Sequence, residues 1–226
     1  MAKNILLACV LTAAGGYLLG SILFGVLISK VMYNDDVRNH GSGNAGMTNV
    51  LRTYGKLPAV LTTIGDVGKS VAAVNLGRFI FDALLSGTGA AWQSPLDPVC
   101  GAYLAAIFCM IGHSRPIFFG FKGGKGILCS GTLLLLLDWR IALVGWGAFV
   151  VLWLTTRYVS LGSVAAAVSL PFTTYFVFHN TACTVLGTCI SLLVLWAHRS
   201  NIKRLLSGTE SKFHFHVNAP KPGEDE

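Results

Sequence analysis

Apolar residues in this chain come in long blocks, without the alternation of a strand or the 3.6-residue stripe of a soluble helix. Such blocks predict membrane-crossing helices, because lipid requires each span to satisfy its own backbone hydrogen bonds. A span needs about 20 residues. The candidate spans are residues 4–30, 59–85, 98–113, 141–157, 159–178 and 181–198.

Residues 127–138 are also apolar but short, reaching roughly 18 Å against a hydrocarbon core of about 30 Å. If this stretch continues through 141–157 as one span, two of the three polar segments described below fall on opposite faces. If the chain turns at residues 138–140, all three share one face. We therefore predict an all-α, polytopic membrane helical bundle of about seven transmembrane helices, with the N-terminus outside and the C-terminus cytoplasmic.

Composition supports a membrane protein, since 53% of the residues are hydrophobic and only 12% are charged. A soluble domain of this length would normally be about 25% charged. The first apolar stretch, from 5 to 28, is longer than a signal-peptide core of about 7–15 residues, which predicts a retained span. We expect residues 1–207 to form one membrane domain and 208–226 a polar, largely disordered cytoplasmic tail.

The net charge of +7 follows the positive-inside rule under this topology. Basic residues do not interleave with aromatic residues as in RNA-binding segments, so we expect no nucleic-acid partner. Of the seventeen Lys and Arg residues, Lys3, Arg78 and Arg140 lie outside and Lys69 lies within a span. The thirteen on the cytoplasmic side are Lys30, Arg38, Arg52, Lys56, Arg115, Lys122, Lys125, Arg157, Arg199, Lys203, Arg204, Lys212 and Lys221.

The cysteine and histidine positions predict neither a metal site nor a cofactor. All six cysteines sit in apolar stretches and none forms a CxxC, which indicates buried inert thiols rather than a disulfide framework or a zinc site. His40 and His113 flank polar segments, and neither lies in a ligand-spaced cluster with Cys or carboxylates. The cysteines are Cys9, Cys100, Cys109, Cys129, Cys183 and Cys189.

The first polar segment, residues 39–56, contains a glycine-rich loop followed by a basic residue. Residues 41–46 match GxGxxG, but no strand precedes them, so the dinucleotide interpretation is weak. Glycines let backbone amides approach an anion, and the planar guanidinium of Arg52 suits a phosphate. An ordinary basic cytoplasmic loop is the alternative.

The second polar segment, residues 112–126, ends in Lys122-Gly123-Gly124-Lys125-Gly126 directly before an apolar helix. Its spacing excludes a Walker A loop, and Gly126 stands where that motif has the Ser or Thr that holds magnesium. Two lysines, three glycines and a helix N-terminus indicate phosphate binding. A flexible basic turn is the alternative.

The third polar segment, residues 198–212, places His198 and Asn201 at i, i+3 on one helix face. A histidine there can act as a general base or bind phosphate, or it can be merely hydrogen-bonded. We expect Glu210 to pair with a nearby basic residue. Asp66 and Lys69 are also at i, i+3, and mutual pairing is the simpler interpretation of charges within a span.

Together these segments resemble the bacterial acyl-phosphate:glycerol-3-phosphate acyltransferase family, PlsY. The resemblance extends from Gly20 to Glu210, nearly the whole chain. It rests on HGSGNAGMTNVLR (40–52), GHSRPIFFGFKGGKG (112–126) and HRSNIKRLLSGTESK (198–212), with GDVGKS (65–70) and RYVSLGS (157–163) between them. The order of all these motifs is specific, whereas any one alone is not.

The resemblance implies transfer of an acyl group from acyl phosphate to the 1-hydroxyl of glycerol 3-phosphate, giving lysophosphatidic acid and phosphate. This is the first acylation of phospholipid biosynthesis. It also implies a multi-pass protein of the bacterial inner membrane, with its active site on the cytoplasmic face. The implied partners are the two substrates, membrane lipids and an enzyme that produces acyl phosphate.

The resemblance also assigns roles to residues. Ser42, Arg52, His198 and Asn201 are implied to be catalytic, and Glu210 is implied to be structural, as we expect for Asp66 and Lys69. The implied substrate-binding residues are Gly41, Gly43, Asn44, Gly46, Thr48, Asn49, Lys122, Gly123, Gly124, Lys125, Gly126, Ser160 and Ser163.

A membrane transporter of an organic phosphate is the alternative function. It would require charges at mid-membrane and broken helices in paired halves. Asp66 and Lys69 are the candidates for such charges, and both lie near one face. The identity of the general base, His198 or an oxygen of the substrate phosphate, stays open at this point.

Overall fold

The computed structural model describes residues 2–85 and 96–213, and within these ranges it contains ten α-helices and no strand. The all-α prediction is therefore confirmed. The helices are α1 (Ala2–Gly20), α2 (Phe24–Tyr33), α3 (Met47–Tyr54), α4 (Lys56–Leu85), α5 (Pro98–Ser114), α6 (Ile127–Leu137), α7 (Trp139–Thr156), α8 (Val159–Phe178), α9 (Thr181–Ala197) and α10 (Arg199–Leu206).

Five helical segments in the described part of the chain are long and apolar enough to cross a membrane. They are Lys3–Tyr33, Lys56–Leu85, Pro98–Phe119, Trp139–Thr156 and Val159–Phe178. A sixth is obtained if α9 and α10, which are bent by 62°, count as one span. The chain is thus a multi-pass membrane protein, and the count of about seven stays a prediction because α6 has only 11 residues.

Helix α5 occupies the centre of the bundle, where it packs against α1, α4, α6 and α9. Small residues allow this close approach, as is usual between helices in lipid. A Cβ at Gly77 of α4 would lie 2.3 Å from the carbonyl oxygen of Gly101. Toward α8, the buried hydroxyl of Tyr103 lies 2.7 Å from Thr174 Oγ1, so the polar tip of this large side chain is also satisfied.

The apolar stretch after residue 126 does not continue as one span. Helix α6 ends at Leu137, and the extended Asp138 caps α7 by accepting a hydrogen bond from the backbone N–H of Arg140 at 2.8 Å. The two helices then run back along each other and pack together, and the indole of Trp146 donates to the carbonyl of Gly131 at 3.0 Å. The predicted turn at residues 138–140 is confirmed.

A buried ammonium group lies beside the break between α1 and α2. The Nζ atom of Lys69 donates to the carbonyl of Ile22 at 2.7 Å and to that of Gly20 at 3.3 Å. Carbonyls at a helix end lack intrahelical partners, and Lys69 supplies one. Its charge is balanced by Asp66, whose Oδ1 lies 2.7 Å away, so the predicted pairing is confirmed.

The structure corrects one expectation about His113. Asp66, His113 and Cys129 place ligand atoms within 4.8 Å of one another, so the prediction that His113 lies in no cluster with Cys or carboxylates is wrong. Packing of α4, α5 and α6 joins positions that are distant in sequence. The cluster already contains an internal cation, because Lys69 Nζ lies 2.9 Å from His113 Nδ1.

The six cysteines differ in burial. Four are buried, as predicted: Cys100, Cys109, Cys129 and Cys183. Cys9 is half-buried and Cys189 is exposed on α9, so the expectation of general burial is wrong for these two. An apolar helix face needs no burial in protein when lipid covers it.

The polar tail is described only as far as residue 213. The backbone N–H of Phe213 donates to the carbonyl of Arg157 at 2.9 Å, which brings the start of the tail back against the bundle. The predicted disorder of residues 214–226 lies outside the described residues.

Replacing Lys69 should destabilise the fold. We expect Lys69→Met to cost roughly 3–5 kcal/mol, because it leaves the buried Asp66 carboxylate without its counter-charge. The measurement is the melting temperature of the purified protein in detergent, with the exposed Lys122→Met as matched control. The double variant Asp66→Asn/Lys69→Met should recover part of the loss. An unchanged melting temperature for Lys69→Met would contradict a stabilising ion pair.

Candidate active site

The three polar segments meet at one end of the bundle. The guanidinium of Arg38, just before the first glycine loop, donates to the carbonyls of Phe119 and Lys122 in the second segment, both at 2.8 Å. The second and third segments are joined by Lys125, whose Nζ donates to Asn201 Oδ1 at 2.8 Å. The predicted convergence on one face of the bundle is therefore confirmed.

The first glycine loop is organised around the buried side chain of Asn49. Its Nδ2 donates to the carbonyls of Val37, His40 and Asn44 at 2.9–3.0 Å, and its Oδ1 accepts from the backbone N–H of Ser42 at 3.0 Å. The amide is thus used within the loop itself. Asn49 shapes the loop that carries Ser42 and Asn44.

Glycine is required at one point of this loop. Gly41 has a φ of +55°, and a Cβ there would lie 2.4 Å from Asn49 Oδ1. At the end of the loop, Gly46 immediately precedes α3, and its N–H donates to Asn44 Oδ1 at 2.8 Å. The backbone therefore enters α3 with its first amides at the edge of the site.

The second glycine loop packs directly onto His113. The N–H of Gly124 donates to the carbonyl of His113 at 3.0 Å, and a Cβ at Gly123 would lie 1.9 Å from that oxygen. A Cβ at Gly124 would lie 2.3 Å from His113 Nε2. The loop then ends at Gly126, which has a φ of +69° and immediately precedes α6. The glycines of the loop therefore place the N-terminus of α6 beside the histidine.

A hydrogen-bonded chain runs from the second loop to the described part of the tail. Asn201 accepts from Lys125 and donates from Nδ2 to Glu210 Oε1 at 2.7 Å. The hydroxyl of Ser160 donates to the same carboxylate oxygen at 2.6 Å. Arg204 Nε lies 2.7 Å from Glu210 Oε2, so the expected pairing of Glu210 with a basic residue is confirmed.

Burial and neighbouring charges shift the pKa of two groups in this hydrogen-bonded chain, Glu210 and Lys125. Burial alone would raise the pKa of Glu210, but hydrogen bonds from Ser160, Asn201 and Arg204 outweigh it and hold the pKa below its ordinary value of 4.5. Burial lowers the pKa of Lys125. The positive charges of Arg204 and Arg52 lower it further, and the negative charge of Glu210 opposes them. Glu210 is therefore a carboxylate at neutral pH.

His198 lies at the bend between α9 and α10 and is fully buried. Its Nδ1 lies 2.8 Å from the carbonyl of Val194, and since a carbonyl only accepts, Nδ1 carries a proton. Its Nε2 is buried and has no hydrogen-bond partner among the described residues. In the neutral ring this nitrogen has a lone pair available to a ligand.

The two loops and the third segment border one cavity of about 730 Å³. Its polar end is formed by the first loop, by Arg52 and Lys125, and by the third segment. Its other end is an apolar arm between α6, α7, α8 and α9. The arm is lined by Leu128, Leu133, Leu134, Leu137, Phe149, Val159, Ala167, Leu170, Ile190 and Val194.

The sequence-predicted residues separate into those that line the cavity and those that do not. The predicted residues that do not line it include Gly41, Gly43, Gly123 and Gly124, which shape the two loops, and Lys69, which pairs with Asp66. Lys122 also lies away from the cavity, where its carbonyl accepts from Arg38. The predicted residues that line it are Ser42, Asn44, Gly46, Thr48, Asn49, Arg52, Asp66, Lys125, Gly126, Ser160, Ser163, His198, Asn201 and Glu210.

Sequence reasoning missed three residues of this region. Arg38 was counted only as a cytoplasmic charge, yet it joins the first two loops. His113 was named only for its position, although it supports the second glycine loop and lines the cavity. Arg204 is counted only among the cytoplasmic charges, because the expectation that Glu210 pairs with a nearby basic residue does not say which one.

Comparison with known proteins identifies the family. The family model described as "Glycerol-3-phosphate acyltransferase" matches residues 10–208. The chain belongs to the glycerol-3-phosphate acyltransferase family. A relative of that name from Prochlorococcus marinus (strain MIT 9312) is 39% identical over 200 residues, covering 88% of this chain and 94% of the relative. Another, from Syntrophotalea carbinolica, is 40% identical over 197 residues, covering 87% and 93%.

Solved structures in this acyltransferase family share the fold. This chain is similar to the crystal structure of PlsY (YgiH), an integral membrane glycerol 3-phosphate acyltransferase, in the glycerol 3-phosphate form. The TM-score is 0.75 at 32% identity, over 91% of this chain and 96% of that chain. The lysophosphatidic acid form gives a TM-score of 0.73 at 30% identity, over 91% and 95% of the two chains. The resemblance drawn from the motifs is confirmed.

The carboxylate at the centre of the hydrogen-bonded chain should make stability depend on pH. Because the folded-state pKa of Glu210 is lowered, its contribution is full above the unfolded pKa and is lost as pH falls through the folded pKa. We expect the melting temperature of the native protein to exceed that of Glu210→Gln at pH 7, and the difference to shrink as pH falls below about 4. A difference that stays constant with pH would contradict this.

Proposed function

We propose that this chain transfers an acyl group from acyl phosphate to the 1-hydroxyl of glycerol 3-phosphate, releasing phosphate and leaving lysophosphatidic acid in the membrane. The observation that carries the proposal is the cavity, which joins a cationic, glycine-rich end to an apolar arm. A single space with these two chemistries suits a substrate that is half phosphate and half hydrocarbon. Membership of the acyltransferase family supports the same reaction.

The polar end offers several groups to two phosphates. The guanidinium of Arg52 makes no hydrogen bond or ion pair with the residues described, so it is available for bidentate binding. The N-termini of α3 and α6 adjoin the cavity at Gly46 and Gly126, and helix N-termini favour anions. Backbone amides of residues 42–46 and nearby cations would bind the acyl phosphate head, while Lys125, Arg52 and His198 would hold glycerol 3-phosphate.

The apolar arm would receive the acyl chain. Its side chains come from helices that face lipid on their other sides, such as α7 with exposed Leu143 and Val151. A chain that enters from the bilayer stays in an apolar environment, so the arm aligns the acyl group through packing contacts rather than through removal from water. Product could then leave sideways into the bilayer.

The chemistry needs no covalent enzyme intermediate. Acyl phosphate is a mixed anhydride, so its carbonyl carbon is already activated. The glycerol hydroxyl attacks that carbon, a new ester bond forms, and the bond from the carbonyl carbon to the phosphate oxygen breaks. Phosphate leaves with the bonding electron pair. Positioning the two substrates and stabilising the developing charge supply the rate.

Two groups can accept the proton from the attacking hydroxyl. His198 Nε2 borders the cavity without a partner in the described part of the chain, and its ring is oriented by the bond from Nδ1 to Val194. An oxygen of the substrate's own phosphate is the alternative. The two bases can be distinguished by the pH dependence of the rate in a variant without the imidazole, because protonation of His198 blocks catalysis only if His198 is the base.

We infer that the site faces the cytoplasm and that the chain forms seven membrane segments of a bacterial inner membrane. Thirteen of the seventeen Lys and Arg residues fall on the side of the site under this topology. The short helix α6 would be the additional segment that brings the count to seven. It packs against α4, α5 and α7, with its N-terminus at the site. A reactive anhydride must be made nearby, so an enzyme that produces acyl phosphate in the same compartment is the expected partner.

The reaction can be tested directly with purified protein in detergent. Palmitoyl phosphate and glycerol 3-phosphate, without added metal or nucleotide, should give lysophosphatidic acid by mass spectrometry together with released phosphate. We expect Arg52→Ala to lower kcat/KM by about 100-fold or more, because it removes charged hydrogen bonds to phosphate. Arg199→Ala is the matched control, since Arg199 lies against Trp196 and away from the cavity.

Absence of product from well-folded native protein, also with acyl-CoA as donor, would overturn the proposal. Transport of organic phosphate into liposomes would then be the next assay. Equal losses in Arg52→Ala and Arg199→Ala would leave the reaction standing but overturn the role of Arg52.

The pH profile distinguishes the two bases. If His198 accepts the proton, the rate should fall on the acid side as the ring becomes protonated, and His198→Gln should be slower and lack this acid limb. The measurement is kcat for both proteins from pH 5 to pH 9. An acid limb that persists unchanged in His198→Gln would assign the proton to the substrate phosphate.

A further inference from the structure

Two cysteines from distant parts of the chain meet inside the bundle. Cys100 is the third residue of α5 and Cys183 the third residue of α9, and their Sγ atoms lie 3.1 Å apart. Both side chains are fully buried. A disulfide bond measures about 2.05 Å, so joining them requires a movement of about 1 Å.

The pair lies at the opposite end of both helices from the site. Helix α5 runs from Cys100 to His113 under the glycine loop, and α9 runs from Cys183 to the bend at His198. At about 1.5 Å per residue, each helix separates the pair from the site by about 20 Å. The thiols therefore take no part in the acyl transfer.

We propose that Cys100 and Cys183 form a disulfide that joins α5 to α9 at the outer face of the membrane. This rests on the orientation given under the proposed function, which turns the site to the cytoplasm and hence the pair to the opposite compartment. Disulfides form and persist in such an oxidising compartment, whereas cytosolic thiols stay reduced.

The bond forms by thiol–disulfide exchange with a protein disulfide oxidant of the outer compartment. One cysteine thiolate attacks the oxidant's disulfide and gives a mixed disulfide, and the second cysteine then displaces the oxidant as a dithiol. The two cysteines lose two electrons and two protons, and the oxidant gains both. Because Cys100 and Cys183 are buried in the finished fold, exchange precedes the final packing of the two helix ends.

The surroundings fit a disulfide better than a metal. Asp97 also places a ligand atom within 4.8 Å of both sulfurs, but its Oδ1 already caps α5 by accepting from the N–H of Cys100 at 2.9 Å. The group has three members among the described residues, and structural zinc sites use four protein ligands.

The cross-link would close a segment that contains all of α6, α7 and α8. Closing a long loop restricts the unfolded chain and so stabilises the fold. It would also hold the outer ends of α5 and α9 together while leaving the catalytic end of the bundle uncrosslinked. The covalent tie thus lies on the side where no substrate enters.

Counting thiols tests the proposal. Membranes from a bacterial host are quenched in acid to stop exchange, and the protein is denatured and labelled with a maleimide polymer that shifts gel mobility at each thiol. The chain has six cysteines, and one disulfide removes two thiols. The native protein should therefore carry about four labels without reductant and about six after reduction. Cys100→Ala and Cys183→Ala should each carry five labels in both conditions, because the partner thiol is released.

Cys109→Ala is the matched control, since Cys109 is buried on the same helix as Cys100. It should lose one label in both conditions relative to the native protein. Labelling is done on denatured chains, so a variant that folds poorly is still informative. A Cys100→Ala chain with fewer labels than the native protein would indicate a different pairing and overturn the proposal.

Six labels on the native protein without reductant would also overturn the disulfide proposal. Two thiols that hold a metal would give this result, because they are released when the protein is denatured. Acyl transfer is measured on the same membranes, which separates the two proposals. Product from a fully reduced chain would overturn the disulfide and leave the function standing. A disulfide in a chain that makes no product would do the reverse.

Discussion

The ammonium group of Lys69 lies in an apolar bundle with only 4% of the residue exposed. Desolvating such a charge costs several kcal/mol unless partners replace the lost water. Here the partners come from different helices: Asp66 on α4, His113 on α5, and the carbonyls at the break between α1 and α2. The need to satisfy this one charge therefore fixes how three parts of the bundle meet.

The second glycine loop inherits its position from this cluster. His113 contacts Lys69 with Nδ1, while its carbonyl and its other ring nitrogen lie against Gly124. A glycine loop has little conformational preference of its own. His113 is itself held in place, so packing against it makes the loop rigid. The glycines leave room for this contact, and the loop directs the N-terminus of α6 to the cavity.

At the polar end the Glu210 carboxylate organises the neighbouring charges. Glu210 is paired with Arg204 and receives hydrogen bonds from Asn201 and Ser160. Its negative charge offsets one cation and orients the amide that holds Lys125. The remaining positive charge, on Arg52 and Lys125, is what an incoming phosphate would neutralise. Such a balance limits repulsion between the cations and still favours an anion.

The sequence alone determined the membrane class, the all-helical fold, the turn at residues 138–140 and most of the polar residues that line the cavity. Apolar block length and glycine-rich basic motifs are local properties, so they can be read along the chain. Only the tertiary structure decided that His113 supports a loop, that Arg38 joins two segments, and that Cys100 meets Cys183. These contacts join residues on different helices, and their distances follow from helix packing, which no local pattern specifies.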